Sequence, residues 1–451
     1  MPRTPAARRR YALIGTGHRS EMYTTAIAGI HADVAELALL VDPNPTRAEY
    51  AAAAALRSGA PAAPPIRMPE DLEQALAAER IDCAIICSPD ATHALMLERC
   101  LRAGVDVIVE KPLTIDEAGA TIVMAAAEET GRSPIVTFNY RYSPRNSAVK
   151  QLIADGAIGT VNSVSFEWML DTSHGADYFR RWHRDKQTSG GLLVHKASHH
   201  FDLVNWWIDD APSRVFASGG LRFYGAENGS RDGRMVSTER GSRDESVMDP
   251  FSLDLRRHPR LRALYLDAEK HDGYRRDLSP FDDGITIEDN LAVIVDYRRG
   301  STLSYSLNAH SPWEGYRVAI NGTLGRLELD VVERGAVLPG DDGRIPVDPS
   351  FVGESGSLEY GPRPDGERLL LQHHWQPAAE IPIVGGGGDH GGGDERMLGD
   401  VFRGAGEDPL GRAADFRDGL RSIAVGIAAN ESLRTGAAVR VDDLEFGGTL
   451  R

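Results

Sequence analysis

The sequence predicts a two-part α/β protein. Residues 8–138 are expected to form a doubly wound parallel sheet, and 139–451 an α/β domain on an open, mostly antiparallel sheet. Three observations predict this. Short apolar runs alternate with amphipathic helical stretches through the first third, the texture of a parallel sheet with right-handed crossovers. A glycine-rich turn stands between the first run and the first helix. Beyond residue 160 the runs alternate apolar and polar residues one by one, as half-exposed antiparallel strands do.

Taken in order, residues 11–14 read as a strand, 20–32 as a helix and 35–41 as a second strand. An alanine-rich helix at 47–57 and another at 71–78 follow. Strands at 83–87, 106–109 and 134–138 then alternate with helices at 92–103 and 115–130. Past the change of texture, strands are expected at 161–169, 291–297, 302–307, 316–320 and 325–329. Residues 225–285, charged and turn-rich, and 338–390, dense in Pro, Gly and Asp, are expected to be insertions. Helical patterns return at 395–402 and 416–433.

Composition narrows the function. A chain of 451 residues exceeds one ordinary core, and about two or three domains are expected. A formal charge of −16 argues against a nucleic-acid partner, because a phosphate-binding surface needs clustered Lys and Arg. No run approaches about 18 apolar residues, so no membrane span is predicted. The basic start, 1–10, passes straight into a strand, and no signal peptide is expected. Cys83, Cys87 and Cys100 lack the spacing of a disulfide framework or a thiolate metal site. They read as structural thiols of a reducing compartment, which predicts a cytoplasmic location.

The turn is Gly15-Thr-Gly17-His18-Arg19-Ser20. Its first Gly permits a tight turn, and its second lets a pyrophosphate approach the backbone. The helix that follows offers free N–H groups and the positive end of its dipole. Ser20 takes the place of the usual third Gly. Asp42, ending the second strand roughly 20 residues on, stands where a carboxylate binds the ribose hydroxyls of NAD. Pro43-Asn44-Pro45 puts no basic residue directly after it, so NAD is favoured over NADP. The plainer alternative is a glycine turn followed by a surface Asp.

Two further clusters follow. Glu110-Lys111-Pro112 ends the strand at 106–109, and Ser88-Pro-Asp-Ala-Thr-His93 leaves the preceding strand at the same edge. In an open parallel sheet, ligands bind outside the carboxyl ends of the strands. Gly190-Gly-Leu-Leu-Val-His195-Lys196-Ala-Ser-His199-His200-Phe-Asp202, if helical, puts His195, His199, Asp202 and Trp206 on one face. His199 would then lie beside a substrate with Asp202 holding its ring, an arrangement suited to proton transfer from an alcohol. Spacing alone leaves open a metal held by His195 and His199, or histidines buried in a core helix. No Glu-x-x-His partner or Cys accompanies the two histidines, and no metal is expected.

Gly15-Thr-Gly17, Glu110-Lys111-Pro112, Asn139-Tyr140-Arg141 and Gly190…His199…Asp202 occur in an order that resembles the glucose–fructose oxidoreductase/inositol dehydrogenase (Gfo/Idh/MocA) family, from about residue 10 to 433. The resemblance implies an N-terminal NAD(P) Rossmann domain and a C-terminal domain whose open sheet serves a homodimer or homotetramer. It implies a sugar, cyclitol or other polyol as substrate. It also implies that Lys111 and His199 are catalytic. Relatives commonly carry an Asp four positions before that histidine, where this chain has His195 followed by Lys196. The segments 171–183 and 390–394 resemble those of a sugar-related subgroup.

The expected reaction is hydride transfer from a carbinol carbon, His199 taking the hydroxyl proton and Lys111 bonding the oxygen, or Lys111 itself acting as base. Gly15, Gly17, His18, Arg19, Ser20, Asp42, Ser88, His93, Glu110 and Lys111 are the expected cofactor residues. Lys111, Asn139, Arg141, His174, Tyr178, Arg181, His183, His195, Lys196, His199 and His200 are those expected at the substrate. Two rival functions share these residues. One is an NAD-dependent glycosidase working by transient oxidation, with Tyr178, His183 or Asp177 as its extra acid/base. The other is a non-catalytic dinucleotide-binding regulator.

Overall fold

The computed structural model describes residues 8–233, 240–242, 250–340, 343–347, 363–385 and 392–450. Strand β1 (Arg9–Ile14) is apolar over its last four residues, all buried. It runs into the glycine turn and helix α1 (Ser20–Ala28), which Gly29 ends. Strand β2 (Ala35–Val41) is followed by helix α2 (Pro45–Arg57). Pro45 opens the first turn of α2, and the Asn44 side chain caps it by accepting from the Arg47 N–H, relieving one of the helix's orphan donors. Strands β3 (Ile66–Arg67), β4 (Cys83–Ile86), β5 (Asp106–Val109) and β6 (Ile135–Val136) complete the alternation.

These strands pair in parallel in the order β6-β5-β4-β1-β2-β3. The chain leaves β1 towards β2 and returns on its other side at β4, so the strand order reverses between β1 and β4. Such a reversal opens a crevice at the carboxyl ends of the strands. The register fixes what reaches it: Ile14 pairs with Ile86, and Ile86 with Val109. Gly15, Ser88 and Lys111 therefore leave the sheet at one edge.

Among the described residues the second sheet has nine strands: β7 (Val161–Asp171), β8 (Pro212–Gly220), β9 (Asn290–Tyr297), β10 (Thr302–Ser311), β11 (Glu314–Gly322), β12 (Gly325–Arg334), β13 (Gly366–His373), β14 (Ala379–Ile381) and β16 (Val439–Arg440). Their order is β14-β13-β12-β11-β7-β10-β9-β8-β16, and only β7 and β10 pair in parallel. The inner face stacks Trp168 on Tyr316 at 4.7 Å and on His200 at 4.1 Å, where helix Ser198–Ile208 packs.

Three features depart from the sequence expectation. Part of 338–390 is sheet, not insertion, since β13 and β14 extend the edge beside β12; Leu369, fully buried, is the inward residue that allows it. Pro212–Gly220 is a strand as well. The C-terminal part also returns to the first sheet. Strand β15 (Ala414–Asp415) pairs antiparallel with β6, and helix Gly393–Arg403 sets Phe402 against Tyr11 at 5.2 Å. Among the described residues no helix is long and apolar enough to cross a membrane. Cys83, Cys87 and Cys100 are free thiols, and burial pushes the Cys83 thiol up to about 12, which leaves it unreactive.

Candidate active site

The turn is built for a close approach. Gly15 has φ +87°, and a Cβ there would lie 2.5 Å from the Ser88 nitrogen; only glycine meets both conditions. Around Gly17 a Cβ would meet nothing within 4 Å, so the second glycine faces open space at the N-terminus of α1. Ser20, buried in the third-glycine position, donates its hydroxyl to the Gly17 carbonyl at 2.6 Å. Open space at Gly17, the positive end of the α1 dipole and the glycine turn together fit a dinucleotide pyrophosphate. We expect Gly15→Ala to abolish dinucleotide binding, read by calorimetric titration; binding at wild-type affinity would show that the turn is not the site.

Asp42 is buried and holds the turn itself. Its Oδ2 accepts from the Thr16 N–H at 2.7 Å and the Thr16 hydroxyl at 2.9 Å, and its Oδ1 from the Asn44 N–H at 2.7 Å. Arg47, one turn into α2, reaches to 3.7 Å of Oδ1, a basic neighbour that the local sequence Pro43-Asn44-Pro45 did not announce. Arg19 bonds Glu110 at 2.8 Å and Asp394 at 3.0 Å. Glu110 also accepts from Tyr23 at 2.7 Å. These side chains anchor the loops around the crevice. His93 does the same, its ring nitrogens 2.8 and 2.9 Å from the carbonyls of Pro112 and Ser88.

Lys111 stands just past β5, joined to Pro112 by a cis peptide bond. Its Nζ donates to the His195 carbonyl at 3.1 Å. That carbonyl is accessible because the expected single helix is broken. Leu192–His195 and Ser198–Ile208 are separate helices, so the His195 oxygen serves Lys111 and the Ser198 hydroxyl, 3.4 Å away. Within the second helix, the expected pairing of Asp202 with His199 is not formed. Asp202 instead binds the Arg141 guanidinium through both oxygens, at 2.6 and 2.8 Å. His199 stacks on Tyr140 at 4.5 Å.

The carboxylate that meets His195 is one the sequence reading left among loop residues. Asp90 Oδ2 lies 2.5 Å from His195 Nδ1. Burial pushes the Asp90 carboxyl well up, against the pull of Lys111 and Arg181. Burial likewise pushes His195 well below the usual imidazole range, with Lys111 and His183 adding to it. Lys111 is lowered to about 8 by burial; Asp90 opposes the shift and Lys196 reinforces it. The signal for Asp90 was its position, four residues past the end of β4 and at the same edge as Lys111.

Around this trio the structure gathers most of the residues expected at the substrate. His183 lies 4.1 Å from the His195 ring, and Tyr178 at 5.5 Å. His174 bonds Glu314 at 2.8 Å and the Tyr178 hydroxyl at 3.1 Å. Arg181 is held by Asp177 at 2.8 Å, with its guanidinium over Tyr178. Lys196 sits 4.8 Å above the Trp168 ring. Three expected residues are committed elsewhere: Arg141 to Asp202, His200 to the Tyr305 hydroxyl at 2.7 Å, and Asn139 to Asp394 at 2.7 Å. Asp177, bound to Arg181 and Arg276, is lowered despite its burial, which unsuits it as a proton donor. His390 lies outside the described residues. Among those described, no group of three or more His, Cys, Asp or Glu could hold a metal ion.

Comparison with known proteins agrees with the fold. Residues 9–138 match the family described as "Oxidoreductase family, NAD-binding Rossmann fold", and 150–441 match its "C-terminal alpha/beta domain". The chain is 37% identical to the protein YteT of Bacillus subtilis (strain 168) over 366 residues, 78% of each chain. It is 31% identical over 209 residues to the inositol 2-dehydrogenase of Rhizobium meliloti (strain 1021), covering 46% of this chain and 58% of that one. An oxidoreductase domain protein from Kribbella flavida shares the fold, with a TM-score of 0.64 at 19% identity over 97% of this chain and 100% of that one. The chain belongs to the Gfo/Idh/MocA family and is an oxidoreductase.

Proposed function

We propose that this oxidoreductase is an NAD-dependent dehydrogenase acting on a carbinol carbon of a sugar, glycoside or cyclitol, with Lys111 as the base. The observation that carries the reading is the half-buried Lys111 ammonium, lowered to about 8, beside the Asp90–His195 pair at the carboxyl edge of the sheet. Bound nicotinamide supplies the hydride acceptor. The chain's own groups do the rest. Lys111 in its neutral form takes the substrate hydroxyl proton at Nζ, and its lowered pKa makes that form accessible near neutral pH. His199, fixed against Tyr140, and Lys196 face the substrate and hold its oxygens. The inositol 2-dehydrogenase relative supports a polyol substrate. NAD is favoured because Asp42 stands at the end of β2, where a 2′-phosphate would meet a carboxylate.

The test is stoichiometric. Purified protein is given NAD+ and a panel of sugars, glycosides and inositols. Accumulation of NADH with turnover is the expected result. Aglycone release without net NADH would replace the dehydrogenase with a redox glycosidase, and tight NAD+ binding without turnover on any member would replace it with a regulator. A second expectation isolates Asp90, a positioning residue acting through Lys111. Its negative charge favours the protonated lysine, so Asp90→Asn should move the pH–rate profile for oxidation to lower pH. A profile that keeps its midpoint while losing amplitude would reduce Asp90 to a structural prop.

A further inference from the structure

The described part of the segment expected as an insertion, 225–285, does not hang free of the dinucleotide site. Its turns Leu255–Arg257, Pro259–Leu261, Arg262–Leu266 and Glu269–Asp272 enclose a small apolar core of Leu253, Leu255, Leu261, Leu264 and Tyr265, against which Tyr50 of α2 packs. From there it docks on the starts of α1 and α2. Arg260 meets Glu21 at 2.6 Å, and the His18 N–H donates to the Tyr265 hydroxyl at 3.2 Å. The Asn44 amide donates to the Ala268 carbonyl and to Asp272 Oδ2, both at 2.9 Å, and the Arg47 guanidinium also bonds Asp272 Oδ2.

Arg47 is thus held between two carboxylates, Asp42 from the end of β2 and Asp272 from the other domain. We propose that Asp272 is a determinant of cofactor specificity: it engages Arg47 and makes the ribose end of the site reject a 2′-phosphate. The inference rests on the NAD reading above. The chemistry is a charge count. A 2′-phosphate carries nearly two negative charges and is normally received by an arginine at this place. Here the Arg47 guanidinium already faces two carboxylates, and one of its N–H groups is bonded to Asp272. A phosphate would have to displace a charge-assisted bond and meet net negative charge. A ribose carrying only hydroxyls meets neither obstacle. Local sequence around Asp42 carries only half of this device, since Asp272 lies 230 residues further along the chain.

The experiment measures binding of NAD+ and NADP+ by calorimetric titration to wild type, Asp272→Asn, Arg47→Gln and the double variant. Asparagine keeps the size and the acceptor for Asn44 while removing the charge. Asp272→Asn is expected to tighten NADP+ relative to NAD+ by about tenfold or more, and Arg47→Gln to cancel that gain in the double variant. An unchanged NADP+/NAD+ ratio in Asp272→Asn would overturn the proposal, as would a gain that survives loss of Arg47. Equal wild-type affinity for the two dinucleotides would instead overturn the NAD reading itself. Thermal unfolding of each variant separates these outcomes from misfolding: a variant that melts with wild-type cooperativity and still fails to change the ratio counts against Asp272.

Discussion

Lys111→Met is expected to lower kcat for alcohol oxidation by about a thousandfold, the middle of the range for loss of a general acid–base group, while dinucleotide affinity stays near that of wild type. Methionine nearly fills the lysine's volume, so the crevice keeps its shape. The wild-type pH dependence should have a definite sign. With Lys111 lowered to about 8 by burial, the neutral amine that accepts a proton is scarce below that value. Oxidation should therefore rise with pH and level off above about 8, and carbonyl reduction, which needs the ammonium, should show the opposite trend. A flat oxidation profile, or a methionine variant with near-normal kcat, would remove Lys111 from the chemistry. In that event His199 would be left as the candidate base, and His199→Ala would then carry the large loss.

Arg141→Ala is expected to destabilise the fold by about 3–5 kcal/mol, because it strands a buried carboxylate. The Arg141 and Asp202 side chains are 3% and 1% exposed and joined by two hydrogen bonds. Burial already pushes Asp202 up to about 6, against the pull of Arg141; without the guanidinium the carboxyl moves further up. The pH dependence follows from that direction. Between the ordinary carboxylate range and the raised value, the folded variant holds a proton that the unfolded chain has released. Its stability therefore falls as pH rises through this window. Urea midpoints should show the variant closest to wild type in acid and furthest from it above neutrality. A variant of unaltered stability that instead loses affinity for its sugar would return Arg141 to the substrate pocket, where sequence reasoning put it.

Arg141 illustrates where sequence reasoning reached and where it stopped. By itself the sequence determined the parallel sheet, the glycine turn, the edge carrying Lys111 and the second sheet, because each follows from a local period or a local backbone requirement. A strand alternates every two residues and Gly15 needs a positive φ; such constraints act within a few positions along the chain. Residues 366–373 escaped because their turn-rich flanks hide the strand, whose partners β12 and β14 come from elsewhere along the chain.

Only the tertiary structure decided the partnerships. Asp202 turned to Arg141 rather than His199, 61 positions apart in sequence. Asp90 met His195 across 105 positions, supplying a carboxylate beside a histidine that sequence reading had seen without one. Arg47 found Asp272 across 225. Buried charges must be paired wherever the fold brings them, and packing, not spacing along the chain, determines which groups are buried together.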